Sequence, residues 1–463
     1  MNEHSRILER DKLDIAEPLS DADLRLPAVL PRDPYPIETL TPDARQQTRA
    51  VGQRATRPDG RLHGLGQTKY IDDLSFPGML YARIKRAGIA AARIKRIDTS
   101  AAEAMPGVMA VLTGKEIPTN TFGPTFQDQP VLVDDVVFHA GDGVAAVAAV
   151  TEQIANEALD KIVIEYEPLP AVLDPVAAMR EDSPKVHAPD SNIYATKVIR
   201  KGDVEKGFAE SDHIFEARFS TQMIEHVSLE PHAAIADWDA NGRLTIYATI
   251  GRITLARADM ARTLKLPMSR IRIVGTIVGG NFGGKNEITQ EPALALLSKK
   301  TGRPVKGVFT RGEEFTSTTT RHPIIMDYKT GVTKKGRILA RQIRLVLDGG
   351  AYCSWSATTL GKACILAPGP YKIDNVLSEA FVVYTNKTMT GAMRGFGAPQ
   401  VCFAYESQMD DIAKKLGIDP LEIRLLNAFD EGSSSPTGQV LHSVVVKETL
   451  RKAAERFGWE PRS

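Results

Sequence analysis

Cysteine is scarce in this sequence, which contains only three among 463 residues: Cys353, Cys364 and Cys402. None of them lies in a CxxC or CxxxxC pair, so the chain cannot supply the four thiolates of an iron–sulfur centre or of an all-cysteine zinc site. We therefore predict three reduced thiols, most of them buried as small apolar side chains.

An excess of one charge is also lacking, because 58 lysines and arginines balance 57 aspartates and glutamates and leave a net charge of +1. This balance argues against electrostatic binding of nucleic acid. No apolar run approaches the roughly 18 residues that a membrane span needs, and the charged N-terminal segment has no apolar signal core. We therefore expect a cytoplasmic protein that binds neither nucleic acid nor a membrane.

Changes in composition along the chain predict three regions. Residues 1–57 are polar and rich in proline and aspartate, which indicates an extended N-terminal arm. Residues 58–175 combine short β-like runs with a helical stretch, which is typical of a small α/β domain. Residues 176–463 alternate strands and helices, with a hairpin over 326–352 and a long helix over 401–416. The overall pattern predicts a mixed α+β fold.

Two glycine-rich loops carry most of the functional information. The first is VGGNFGGKNE at 278–287, which follows the apolar run IRIVGTIV, predicted to be a buried strand, and precedes a helix. Its glycines leave backbone N–H groups uncovered, so the loop is suited to an anion or a metal-bound oxygen. The second is GAMRGFGAPQ at 391–400, in which Gly395 lets a ligand approach the backbone beside Phe396. We predict that the loops form two walls of one pocket for a large ligand.

Other interpretations of these loops remain open at this stage. Gly279, Gly284 and Lys285 satisfy GxxxxGK, and Asp348 ends an apolar strand, as in a P-loop nucleotide hydrolase. Against this, Asn286 stands where such a loop needs Ser or Thr to hold Mg²⁺. Either loop could also be a purely structural turn at the start of a helix.

The segment EHVSLEPH places His226 and His232 on either side of Glu230 and so suggests a metal site. Its spacing does not match the helical HExxH pattern, in which two histidines four residues apart bind one metal ion. We therefore prefer a structural role for these histidines.

Taken together, these stretches resemble the molybdenum-binding subunit of the xanthine dehydrogenase, aldehyde oxidase and 4-hydroxybenzoyl-CoA reductase family. The resemblance covers residues 60–460 and includes GQTKYIDDLSFPGMLYARI, LEPHAAIADWDANGRLTIYAT, VGGNFGGKNE, TGRPVKGVFTRGEEF and GAMRGFGAPQ in the family's order. It implies an α/β hammerhead domain over 58–175 and the first molybdopterin cofactor-binding domain over 176–463. Because family members usually continue into a second such domain, the chain resembles the N-terminal half of a split subunit.

The resemblance also implies a reaction and partners. A molybdenum-bound hydroxide would attack an electron-poor carbon, and a hydride would pass to the sulfido ligand. The cofactor would be molybdopterin, in its cytosine dinucleotide form, and a second molybdenum-cofactor subunit would carry the general base. Electrons would leave through [2Fe-2S] and FAD centres on further partner subunits, because this chain has no cysteine clusters. The small-molecule substrate would be an aromatic or N-heteroaromatic ring or an aldehyde.

Residue by residue, the resemblance assigns backbone contacts with the cofactor and side-chain contacts with the substrate. The implied cofactor-binding residues are Gly280, Phe282, Gly283, Gly284, Arg394, Gly395 and Phe396. The implied substrate pocket consists of Ile250, Asn286, Lys362 and Phe396.

Three of these positions depart from the family's pattern. Ile250 replaces a frequent Gln, Asn286 replaces a frequent Glu, and Lys362 falls on an active-site Arg. Purine oxidation relies on the acidic and arginine positions, so the departures make xanthine an unfavourable substrate. They also leave open that the chain is a non-catalytic structural subunit of such a complex.

Overall fold

A computed structural model describes residues 57–187 and 190–461. The chain divides into two units, Met1–Thr68 and Lys69–Ser463. In the first unit the described residues begin at Arg57 and include the short helix α1 (Gly60–Gly64). Except for Arg57, the N-terminal arm predicted over residues 1–57 lies outside the described residues.

The second unit contains all the other described strands and helices. Its strands are β1 (Leu80–Arg86), β2 (Ala92–Asp98), β3 (Val108–Thr113), β4 (Val136–Val137), β5 (Gly143–Ala149), β6 (Val163–Pro168), β7 (Ile193–Lys201), β8 (His213–Ser220), β9 (Ala233–Trp238), β10 (Leu244–Ala248), β11 (Ile271–Gly275), β12 (Val305–Val308), β13 (Ile324–Val332), β14 (Ile338–Gly350) and β15 (Asn375–Tyr384). Its helices are α2 (Ser100–Glu103), α3 (Glu152–Leu159), α4 (Pro175–Ala178), α5 (Val204–Ala209), α6 (Ile253–Thr263), α7 (Glu291–Thr301), α8 (Arg311–Ser317), α9 (Ser356–Leu366), α10 (Ala398–Leu416), α11 (Pro420–Asn427) and α12 (Val446–Phe457). Among the described residues, no helix combines the length and the apolar character needed to cross a membrane.

A seven-stranded mixed sheet in the order β11-β10-β9-β12-β1-β5-β3 draws strands from both predicted domains. The link is the parallel pairing of β1 with β12, in which Leu80 lies opposite Val305. Strand β5 has the sequence GVAAVAA and is buried along almost its whole length, because small apolar side chains let other elements pack on both of its faces. Helix α7 is also largely buried against this sheet and ends at Gly302, which adopts the left-handed conformation.

The five-stranded sheet β7-β15-β14-β13-β8 forms a second layer. Burial alternates along β13 and β15, and the buried side chains pack against helices α9 and α10. The predicted hairpin over 326–352 is confirmed, since β13 and β14 pair antiparallel. The predicted helix over 401–416 is also confirmed, although it begins earlier, at Ala398, because Pro399 occupies its first turn. The predicted mixed α+β fold is therefore correct.

One sequence-based expectation about this fold is wrong. The run IRIVGTIV is not a buried strand, because β11 stops at Gly275 and only Ile271 within it is buried. As the edge strand of the larger sheet, β11 pairs with β10 alone. The first glycine loop therefore follows the edge strand of the larger sheet.

Candidate functional site

The first glycine loop is a folded turn with a strained backbone. Phe282 adopts a left-handed conformation (φ +51°), which is costly for an aromatic residue, and its side chain is 46% exposed. The side-chain oxygen of Asn281 organises the turn by accepting hydrogen bonds from the N–H of Gly283 (2.9 Å) and of Lys285 (3.2 Å). The hydrogen bonds within the turn, rather than a helix or strand, therefore hold Phe282 at the surface.

The second glycine loop follows β15 and leads into α10. Phe396 also has a positive φ (+55°), and Gly397 (φ +91°) immediately precedes the helix. Arg394 and Gly395 are exposed. Each loop thus presents one phenylalanine in a conformation that side chains rarely adopt, and such strain persists only where the surrounding structure enforces it.

The structure brings the two loops into direct contact. The backbone N–H of Arg394 donates to the carbonyl oxygen of Phe282 at 2.7 Å. Gly283 packs so closely on Ala392 that a Cβ there would overlap the carbonyl oxygen of Ala392. The two loops therefore hold each other in place.

Two buried histidines from the segment 225–232 fasten these loops from behind. His226 Nε2 donates to the carbonyl oxygen of Ala392 in the second loop (2.8 Å), and its ring packs against Gly284. His232 Nε2 lies 3.1 Å from the carbonyl oxygen of Gly284 in the first loop. One short segment thus contacts both loops.

The charges around these histidines are paired with protein groups. His232 Nδ1 lies 3.0 Å from the carboxylate of Glu314. Burial raises the pKa of Glu314, but the hydrogen bonds and charge of His232, together with the charge of Lys285, leave that pKa below the usual value. Burial lowers the pKa of His226. No group of three potential metal ligands occurs in the described part of the chain.

Lys285 overturns the nucleotide-hydrolase interpretation. Its side chain is 1% exposed, and Nζ donates to the backbone carbonyl of Glu230 (2.7 Å) and to its carboxylate (3.1 Å). A P-loop lysine must instead reach the phosphates of a nucleotide. Asp348 is also committed, because it accepts from Thr385 Oγ1 (2.6 Å) and from Lys387 Nζ (2.9 Å).

The contacting loops line a cleft of about 410 Å³ together with the start of α6 and the start of α9. Three aromatic side chains and two arginines dominate its surface. The lining residues are Arg252, Phe282, Gly283, Asn286, Trp355, Thr358, Ala392, Met393, Arg394, Gly395 and Phe396. Six of the ten residues predicted for the site are among them.

Four predicted residues lie away from this cleft surface. Gly280 packs against Ser228, and Gly284 packs against the ring of His226, so both support the loop from inside. Ile250 is 4% exposed and joins the hydrophobic core of the larger sheet, so it does not form the predicted apolar wall. Lys362 is exposed on α9, beyond the part of that helix that lines the cleft.

The backbone donors of the two loops differ in availability. The N–H of Gly283 donates to Asn281 and that of Arg394 to Phe282, so the cofactor contact expected from the Arg394 backbone is already taken. Within the described residues, the N–H groups of Phe282 and Gly395 donate to no acceptor. An oxygen-bearing ligand in the cleft would therefore meet donors at Phe282 and Gly395.

Sequence reasoning missed three residues at or beside the site. Arg252 and Trp355 line the cleft, with the guanidinium 4.6 Å from the centre of the indole ring. Glu287 is buried behind Asn286 and accepts a hydrogen bond from Ser354. Burial raises the pKa of Glu287 to about 7. These contacts join residues that are far apart in the sequence, so no local motif predicts them.

The cysteines agree with the sequence-based expectation. Cys353 and Cys364 are buried, Cys402 is exposed, and all three are free thiols. Burial raises the pKa of the Cys353 and Cys364 thiols, which makes them poor nucleophiles.

Comparison with known proteins gives two matching domain families. The molybdopterin cofactor-binding domain matches residues 186–428, and the a/b hammerhead domain of aldehyde oxidase and xanthine dehydrogenase matches residues 65–170. The first of these spans more than half of the chain. The two matches together include both glycine loops and the histidine segment.

Individual relatives agree with these domain matches. The nicotinate dehydrogenase large molybdopterin subunit of Eubacterium barkeri is 42% identical over 408 residues, which are 88% of this chain and 96% of that protein. The xanthine dehydrogenase molybdenum-binding subunit of Escherichia coli O157:H7 is 33% identical over 88% of this chain and 56% of its own length. Among solved structures, the aldehyde oxidoreductase from Desulfovibrio gigas superposes with a TM-score of 0.84 at 31% identity, covering 87% of this chain and 46% of that one. The chain thus spans nearly all of the first relative and about half of the other two.

Proposed function

This chain belongs to the xanthine dehydrogenase and aldehyde oxidase family of molybdenum-dependent oxidoreductases, and we propose that it forms one side of the active site of a multi-subunit hydroxylase. The observation that carries the proposal is the contact between the two glycine loops, which leaves the Phe282 and Gly395 N–H groups open beside an aromatic cleft. Open amide donors suit the oxygen atoms that a molybdopterin cofactor presents.

In this proposal, the molybdenum cofactor supplies two-electron oxidation of a carbon centre when it is bound. Phe282 and Gly395 donate backbone hydrogen bonds to it, and Arg394 adds positive charge near its anionic groups. Gly283 keeps the two loops in contact, while Gly280 and Gly284 give the first loop its shape. No residue of this chain is assigned as the general base.

Two cleft residues are proposed to position the substrate. Phe396 offers a ring face on which a flat substrate can stack, and Asn286 offers a neutral amide. We propose an aromatic or N-heteroaromatic ring or an aldehyde as substrate rather than xanthine, because no acidic side chain of the described residues lines the cleft. The heteroaromatic class is also supported by the name of the nicotinate dehydrogenase relative.

The proposed complex has further subunits. A second molybdenum-cofactor subunit would complete the cleft and carry the base, and the cofactor would be the cytosine dinucleotide form. A [2Fe-2S] subunit and an FAD subunit would remove the electrons, since three isolated cysteines cannot hold a cluster. We also propose a hammerhead domain over 58–175, a cofactor-binding domain over 176–463 and a cytoplasmic location.

The proposal is tested by purifying the chain alone and after co-expression with a candidate second cofactor subunit. We expect the lone chain to hold almost no molybdenum, because the contacts of half a binding site seldom offset the entropy that is lost when the ligand is immobilised. The complex should hold molybdenum and oxidise aromatic substrates with a dye acceptor. Near-stoichiometric molybdenum in the lone chain would contradict the half-site, and a stable complex without turnover on any substrate would favour a structural subunit.

A further inference from the structure

The cleft carries an uncompensated positive charge. Arg252 and Arg394 are both exposed and both line it, whereas none of its other lining residues is acidic. Neither guanidinium forms an ion pair with a carboxylate of the described residues. A cleft with aromatic walls and two free guanidinium groups is complementary to a flat ligand with a negative charge.

Arg252 is also held in a defined orientation. It stands at the N-terminal end of α6, and its guanidinium carbon lies 4.6 Å from the ring centre of Trp355, which stands at the N-terminal end of α9. Within the described residues, the N–H groups of this guanidinium donate no hydrogen bond and form no ion pair. Those N–H groups form the planar fork that matches the two oxygens of a carboxylate.

We propose that Arg252 recognises an anionic substituent, a carboxylate, on a flat aromatic substrate. This inference rests on the proposed function and adds to it the charge of the substrate. Arg252 acts as a specificity-determining residue: it anchors the carboxylate while Phe396 stacks on the ring.

The test compares nicotinate with nicotinamide, which share one ring and differ in charge, on the assembled complex. Arg252→Gln removes the guanidinium, Arg252→Lys retains the charge without the fork, and Arg272→Gln is the matched control. Arg272 is an exposed arginine in β11 that lies outside the cleft lining. Three quantities are measured for each protein: KM and kcat for both compounds, their binding constants by tryptophan fluorescence, and the molybdenum content.

We expect the wild type to bind nicotinate more tightly than nicotinamide. A hydrogen bond to a charged group is worth about 1.5–3 kcal/mol. Arg252→Gln should therefore raise the KM and the dissociation constant for nicotinate by roughly 10- to 100-fold. Nicotinamide binding should change by less than about twofold, Arg252→Lys should be intermediate, and Arg272→Gln should match the wild type.

Three outcomes would overturn the inference. The first is a wild type that prefers the amide or binds both compounds equally, and the second is an equal loss for both in Arg252→Gln. The third is a fall in molybdenum content in Arg252→Gln, which would mean that the arginine holds a phosphate of the cofactor. If the wild-type complex turns over no substrate at all, the proposed function fails, while the fluorescence titration still tests the preference for a carboxylate.

Discussion

A methyl group at Gly283 should force the two glycine loops apart. Gly283 has φ +110°, and a Cβ there would overlap the carbonyl oxygen of Ala392, with Met393 Cα at 3.1 Å. Both neighbours are backbone atoms, which cannot move aside as a flexible side chain can. The substitution should therefore break the contact between the two loops.

The size of the effect can be estimated from two contributions. A non-glycine residue held in a sparsely populated backbone region costs about 1–3 kcal/mol. Loss of the hydrogen bond from the Arg394 N–H to the Phe282 carbonyl costs about 0.5–1.5 kcal/mol more. If both free-energy costs weaken the assembled site, Gly283→Ala should lower cofactor occupancy or turnover by roughly 10- to 1,000-fold.

The assay measures molybdenum per complex, turnover with a dye acceptor, and thermal unfolding of the variant. Gly438→Ala is the matched control, because Gly438 has φ +84° and no atom lies within 4 Å of its hypothetical Cβ. It reproduces the backbone strain without the clash and should keep activity. Wild-type molybdenum content and turnover in Gly283→Ala would refute the reasoning that loop contact builds the site.

Three further predictions concern the buried groups behind the cleft. Because the pKa of Glu287 is raised from 4.5 to about 7, its folded form favours the proton, and stability is lost as pH rises through about 7. Glu287→Gln should therefore raise the free energy of unfolding at pH 8 by up to about 3 kcal/mol and leave it unchanged at pH 4, measured by urea denaturation; equal effects at both pH values would contradict this. Lys285→Met should destabilise the chain by about 3–5 kcal/mol, because the Glu230 carboxylate loses its cation and keeps only the N–H of Gly279. This is measured as a lower urea midpoint, and a loss below about 1 kcal/mol would be inconsistent with a buried ion pair. His226→Phe should loosen the second loop at Ala392, seen as faster hydrogen exchange at 391–397, and unchanged exchange would show that this histidine does not hold the loop.

Stability should also depend on pH through His226 and His322. Burial lowers the pKa of both, in the case of His322 to about 3. A histidine whose folded pKa is depressed takes up its proton more readily in the unfolded chain. Its contribution to stability is therefore present above the unfolded value of about 6.5 and is lost as pH falls toward the folded value.

Features that depend on neighbours along the chain could be predicted from the sequence. The left-handed Gly417, the Asp419 side chain that caps α11 at Leu421 and Glu422, and the hairpin at 326–352 all follow local rules. The two glycine loops, and the family that they indicate, can likewise be recognised from the sequence, because each motif is a short continuous run. These local patterns were sufficient to predict the mixed α+β fold, and the resemblance they carry pointed to six of the residues that line the cleft.

Contacts between distant segments set which polar groups are free to bind a ligand and which are paired within the protein. Ile250 packs in the core, Lys285 forms an ion pair with Glu230, and the N–H of Arg394 donates to the carbonyl of Phe282. The sequence had suggested a ligand-binding role for each of these groups. Burial and pairing arise from contacts between residues far apart in the chain, and a periodic pattern gives the buried face of an element but not its partner. For the same reason Arg252 became visible as a site residue only once α6 was seen to begin beside Trp355.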